Sequence, residues 1–262
     1  MKSHGIAAFA AVFFLLANDG ALKAQQTDLP SFKKTISKLA QSRQIIVVTT
    51  QEWNMIPAKI VFLERTKERQ PWKEGLPSCT AVVGKNGLAW GIGLHGGPPS
   101  EKNSDRIKHE GDLCSPAGIF ELDDALGYAS PQAAAVMTFP YRQITPTIEA
   151  VDDPHSRYYN RIIDTTTIDD KDWNSSEMML RQDDLYHWII VVKHNWKAYS
   201  GYGSAIFLHI WRGAGQGTAG CTAMAPENIE ALVHWLDATK YPLLIQLPAS
   251  EYEKWKTSWH LP

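Results

Sequence analysis

Three apolar segments set the framework of the chain. Gln44 to Thr50 is an unbroken β-branched run, and Tyr186 to His194 carries Ile189, Ile190, Val191 and Val192 in succession. Both patterns are expected of strands buried on two faces. Ala58 to Arg65 instead alternates, with Ile60 and Phe62 on one side, as a half-buried strand does. The first and third segments predict an opening hairpin with Met55-Ile56-Pro57 in its turn. Thr80–Gly84 and Gly87–Leu94 predict two more strands joined through Lys85-Asn86-Gly87, a strong turn signal. Ser115-Pro116-Ala117-Gly118 reads as a bend into Ile119-Phe120, Tyr141–Val151 as one strand, and Pro242–Leu247 as the last. Helical spacing recurs twice. Phe32, Ile36, Leu39 and Ala40 predict a short helix capped by Ser31, and Ile229, Leu232, Val233 and Leu236 predict one that starts at Pro226. Gly96–Leu113 is polar and turn-rich, and acidic Asp164–Asp184 predicts a loop with a short helix, placed to act as a lid. No internal repeat, low-complexity tract or linker interrupts Ile45–Leu247, so the expected body is a single β-dominated one.

The stretch from Ser204 to Thr222 carries the chemistry. An apolar run, Ala205 to Leu208, delivers His209 at a strand's end, and a glycine-rich loop, Gly213 to Gly217, returns the chain to Gly220-Cys221. Histidine and cysteine lie 221 − 209 = 12 positions apart, so the loop can set an imidazole beside a thiol. An ordinary cysteine is mostly protonated near neutral pH, and the thiolate is the nucleophile. A neighbouring histidine supplies the base, and a third group must hold its ring. Gly220 allows close backbone approach, and the amides of Gly220, Cys221 and Thr222 are candidates to face a developing oxyanion.

These residues resemble the signature of the L,D-transpeptidase catalytic domain family (YkuD-like), a histidine followed by Ser/Thr-x-Gly-Cys: here His209, then Thr218, Gly220 and Cys221. Glu110 to Phe120, with Pro116-Ala117-Gly118-Ile119-Phe120, resembles the family's Pro-x-Gly-x-Phe segment. Asp152-Asp153-Pro154, Tyr159-Asn160 and His194-Asn195 resemble a periplasmic subgroup. The resemblance implies a mixed α/β, β-dominated fold, a sandwich or barrel with a few peripheral helices, over residues 45–262. Residues 25–44 would form a linker and short helix. It further implies cysteine-dependent acyl transfer on peptidoglycan stem peptides by a monomer without a cofactor. Cys221 would be the nucleophile and His209 the base, with Gly220, Thr218 and Thr222 completing the catalytic set. Asp152, Asp153, Tyr159, Asn160, His194 and Arg212 would fall on the substrate side. The same site would also serve an L,D-carboxypeptidase, and a catalytically silent peptidoglycan-binding module is the alternative from another class.

Composition narrows the picture. The net charge of −2 lacks the basic surplus of nucleic-acid binders. Ten tryptophans are spread along the chain, suited to core packing or to sugar stacking in a groove. Lys2 and His4, the apolar Ile6–Ala17 and the small residues around Ala21–Ala24 predict a signal peptide over residues 1–24, hence export to the periplasm or cell envelope, with membrane contact only if it stays uncleaved. In an oxidising compartment an odd cysteine is paired between chains or reactive. With Cys221 as nucleophile, Cys79 and Cys114 are the candidate disulfide. Closing 114 − 79 = 35 positions, it would contribute on the order of 3 kcal/mol; two unpaired thiols are the alternative. Adjacent Asp152 and Asp153 alternate faces in a strand, which argues against a glycosidase pair flanking one bond. His109-Glu110 lacks a second histidine at the spacing a metal helix needs, and a zinc site built from His209, Cys221 and His194 or His109 would lack the usual paired ligand spacing. No metal is expected.

Overall fold

The computed structural model describes residues 29–96 and 106–262, with side chains from Thr35 onward. The predicted signal peptide and most of the linker after it lie outside those residues. So does the middle of the polar Gly96–Leu113 segment.

The opening hairpin forms as expected. Strands β1 (Gln44–Thr50) and β2 (Pro57–Glu64) pair antiparallel, with Gln44 opposite Glu64 and Thr50 opposite Ala58. β2 continues antiparallel to β3 (Lys73–Val82), and β1 pairs in parallel with β13 (Leu243–Pro248). The long strand β5 (Ser115–Gly127) then joins β13 to β10 (Trp188–Val192). From β10 the sheet runs through β11 (Phe207–Ile210) and β12 (Thr222–Met224) back to β3. The path β10-β11-β12-β3-β2-β1-β13-β5 closes on itself through the β5–β10 pairing, so these strands form a barrel without a free edge. Short strands β4 (Leu88–Trp90) and β6 (Tyr141–Gln143) add in parallel at the two ends of β5. A separate three-stranded sheet of β7 (Ile148–Val151), β8 (Arg161–Asp164) and β9 (Ser176–Met178) lies in the order β8-β7-β9.

Three helices are described. Helix α1 (Leu29–Gln41) starts two residues before Ser31, which therefore stands in the first turn instead of capping it. Helix α2 (Pro226–Trp235) starts at its proline as predicted and lies across β10, β11 and β3, with Ile229, Leu232 and Val233 fully covered. Each such side chain contributes about 1.5–3 kcal/mol by leaving water. Helix α3 (Ala249–Trp259) lies on β13 and β1 and touches α1. None of the described helices is long and apolar enough to cross a membrane. Phe62, Phe120 and Phe207, with Ile45, Ile46, Ile60, Ile119 and Ile189, are among the largest fully buried side chains.

Four expectations change. Gly84 and Gly87 do bridge around a tight turn, with Gly87 at φ 79°. The flanking strands nevertheless go to different partners, β3 to β2 and β12, and β4 to β5. The Ser115–Gly118 segment is the beginning of β5 and not a bend. Pro116 is tolerated at a strand's start, and Gly118 lets the His95 ring come where a Cβ would clash. Tyr141–Val151 is two strands, β6 and β7, because Pro146 falls between them and lacks the N–H a ladder needs. Lastly, the acidic segment 164–184 contains strand β9 and a short 3-10 turn at Thr165–Thr167.

Candidate active site

Strands β11 and β12 run parallel, with Leu208 level with Thr222 and His209 level with Ala223. Cys221 therefore stands level with Phe207, whose N–H donates to Sγ at 3.3 Å. Side chains alternate along a strand, so Phe207, His209, Cys221 and Ala223 share one face, and His209 and Cys221 are diagonal neighbours. Both line an open cavity of about 620 Å³. They are 7 % and 8 % exposed respectively, reachable yet almost stripped of water. Thr222 takes the opposite face. Its hydroxyl donates at 2.6 Å to Gln246 Oε1, whose amide donates to the Pro116 carbonyl at 2.8 Å.

The imidazole is fixed from two sides. Its Nδ1 lies 2.7 Å from the Ile210 carbonyl. A carbonyl only accepts, so Nδ1 carries the hydrogen and Nε2 is left as the basic nitrogen. The Tyr186 ring meets the imidazole edge to face, with centroids 5.3 Å apart. Burial lowers the His209 pKa to about 4, against the raising effect of the Ile210 bond. Burial also pushes the Cys221 thiol up to about 12; nearby Glu177 adds to this, while the Phe207 N–H and Lys108 oppose it. The pair is thus uncharged at neutral pH, a thiol beside a neutral imidazole. Sγ lies 3.5 Å from the carbonyl of Ala205, in position to donate to it. Ala205 holds a left-handed φ of 51°, a strained backbone beside the sulfur.

The small sheet forms the opposite wall. Glu177 on β9 is level with Ala150 on β7, so Glu177 and Asp152, two positions beyond Ala150, project from one face, and both line the cavity. Glu177 accepts from Tyr186 Oη at 2.8 Å and from Arg181 at 3.0 Å. Its pKa is nonetheless raised, chiefly by burial. Arg181 forks onto Asp183 at 2.8 and 2.7 Å and, with Arg212 at 3.1 Å, holds that carboxyl down at about 2. Asp152 differs, because its Oδ1 is buried with no hydrogen-bond donor among the described residues.

The sequence-predicted residues therefore divide. The structure brings Cys221, His209, Gly220, Thr218, Asp152 and Arg212 to one cavity. Thr218 shapes the loop: its hydroxyl donates to the Cys221 carbonyl and accepts from the Gly220 N–H, so the Gly220 amide is not free to face an oxyanion. Strand alternation turns the Thr222 side chain away from the cavity, so any part it takes in the catalytic set is through its backbone amide. Asp153 leaves the substrate side and closes a turn, accepting from the N–H groups of His155 and Asn174. Tyr159 is buried and donates to Glu110. Asn160 donates to the carbonyls of His194 and Asn195 and accepts from the Ala205 N–H at 3.1 Å, which steadies the strained corner beside the sulfur. His194 is 1 % exposed, bonded to the Ile92 N–H and the Tyr202 carbonyl, and burial lowers its pKa to about 3. It is a packed residue. Cys79 and Cys114 are free thiols, so the expected bridge is not formed. Cys79 lies in β3 opposite Ile60, whereas Cys114 points its sulfur at the carbonyls of Asn86 and Asp112. Zinc needs further donors beside His209 and Cys221, and among the described residues no group of three or more His, Cys, Asp or Glu converges. Glu110 is engaged by Tyr159 and Ser204, and His109 stacks on Tyr202.

Sequence reasoning missed Lys108, Glu177, Arg181 and the Tyr186 ring. The one local signal was Glu177 and Arg181 at i, i+4, and that spacing suggests a helix where a strand end stands.

A neutral thiol and an oriented imidazole on the wall of an open cleft, carried by a closed β barrel, define a cysteine–histidine site. The family model for the L,D-transpeptidase catalytic domain (YkuD) matches residues 43–245, and the protein belongs to that family. No curated protein and no solved structure matches.

Proposed function

We propose that the protein is an exported L,D-transpeptidase that acts on peptidoglycan stem peptides in the periplasm or cell envelope. The observation that carries this reading is the diagonal placement of Cys221 and His209 on one strand face, both opening on the same cavity. Sγ attacks the carbonyl at the L-centre of the stem's diamino acid as His209 Nε2 takes the thiol proton. The tetrahedral intermediate collapses, its C–N bond breaks, and the imidazolium returns that proton to the departing D-amino acid. The thioester then passes to an acceptor amine, whose proton leaves through the same imidazole, and Cys221 is released as a thiol. Water in place of the amine gives an L,D-carboxypeptidase.

The neutral ground state suits this sequence, because the pair becomes charged only when substrate displaces water and supplies a polar partner. Asp152, whose carboxylate lines the cavity, would hold an ammonium group of the stem.

The test is incubation of the protein lacking residues 1–24 with disaccharide-tetrapeptides, products read by mass spectrometry, beside Cys221→Ala. Dimers are expected from the wild-type protein and none from the variant. Tripeptides alone would replace the transpeptidase with the carboxypeptidase. Unchanged substrate would reject both, and retained binding would then mark the silent module.

A further inference from the structure

Lys108 is 3 % exposed, and a lysine is almost never buried so completely without a partner. Its ammonium donates to Asp112 Oδ1 at 2.5 Å and to the His109 carbonyl at 2.7 Å. An ammonium has three hydrogens, so among the described residues one remains. The side chain lines the same cavity as Cys221. Its Nζ lies 3.9 Å from where a Cβ on Gly220 would stand, next to the residue that precedes the nucleophile. The charges facing the sulfur are otherwise unfavourable or engaged. Glu177, Asp152 and Glu110 are carboxylates on the cavity wall. Arg181 and Arg212 are both held by Asp183, and Lys85 belongs to the turn beyond Gly217. Of the titratable neighbours, His209 and Tyr186 are both uncharged at neutral pH.

We propose that Lys108 is the fixed positive charge that stabilises anionic sulfur at Cys221, with Asp112 attenuating its strength. The inference rests on Cys221 being the nucleophile of the proposed reaction, but its effect is on the sulfur itself and needs no substrate. The ammonium acts by charge and not by transfer.

The experiment is the alkylation rate of Cys221 by neutral iodoacetamide at pH 8 and 9, followed on the Cys221 peptide by mass spectrometry so that Cys79 and Cys114 do not contribute. A nearby opposite charge favours the ionised form, and one pKa unit is tenfold in thiolate. With Asp112 offsetting part of this, Lys108→Met is expected to slow alkylation about three- to tenfold. Asp112→Asn, which frees the ammonium from its counter-ion, is expected to speed it about two- to threefold. Opposite signs are the signature, because loosening the fold would expose the sulfur and speed alkylation in both variants. Equal rates for Lys108→Met and wild type, or shifts of both variants in one direction, would overturn the proposal. Absence of muropeptide turnover with opposite shifts intact would overturn the proposed reaction and leave Lys108 in its role.

Discussion

Replacing Thr222 by valine separates the two faces of β12. In the barrel order β12 and β13 are kept apart by β3, β2 and β1. The Thr222–Gln246 bond therefore crosses the interior and does not run along the sheet. Gln246 is 1 % exposed and its Oε1 accepts from Thr222 alone among the described residues. Valine removes that donor and leaves the amide oxygen buried and unpaired, at a cost of about 1–3 kcal/mol. The added methyl returns about 0.8 kcal/mol of apolar burial. A net loss of about 0.2–2.2 kcal/mol is expected, or a fall in Tm of up to roughly 9 °C for a domain of this size. Calorimetry at pH 7.5 measures the first quantity. Cys221 alkylation and muropeptide turnover, both below the new transition, measure the second and should match wild type per folded molecule. An unchanged Tm with turnover lost would refute the placement and return the Thr222 hydroxyl to the reaction.

Asp152→Asn should raise KM about tenfold for stems with a free diamino-acid amine, the loss of one charge-assisted hydrogen bond. It should do nothing to N-acetylated stems, and equal effects on both would remove the amine contact. Asp153→Asn should instead lower Tm and leave KM alone. His95 and His209 are held near pKa 4 and His194 near 3 by burial, against 6.5 when unfolded. The unfolded chain thus binds more protons, and stability present above pH 6.5 is lost as pH falls toward 4. Between pH 7 and 5 the three together account for at most about 6 kcal/mol, as large as the whole stability of a marginal domain. A urea midpoint that does not move over that range would contradict neutral, buried imidazoles. The free thiols of Cys79 and Cys114 should both be alkylated in native protein without reductant; protection relieved only by reductant would reinstate the bridge.

Local chemistry was legible where the residues that decide it are neighbours in the chain. The β1–β2 hairpin follows from patterning and a short connection, and Pro226 marks the first turn of α2. The nucleophile and its base are readable because one glycine loop carries both, so their register depends on twelve positions and little else. The opposite wall of the cleft depends on long-range pairing. Glu177 reaches the cavity because β9 pairs with β7 in a register that no local pattern states. Lys108 reaches it because the neighbouring Ile107 pairs with Trp90. The adjacent carboxylates show both halves of the lesson. Strand alternation alone said that Asp152 and Asp153 would part, and they do. Which of the two would meet the cleft required knowing that the small sheet lines it together with His209 and Cys221, a fact held by the placement of a second sheet. Polar residues next to a recognised motif are weak candidates for the same reason. Tyr159, Asn160 and His194 stand near the site in sequence pattern, yet each spends its hydrogen bonds on the backbone or on Glu110, keeping in place the corner at Ala205 whose carbonyl faces the sulfur.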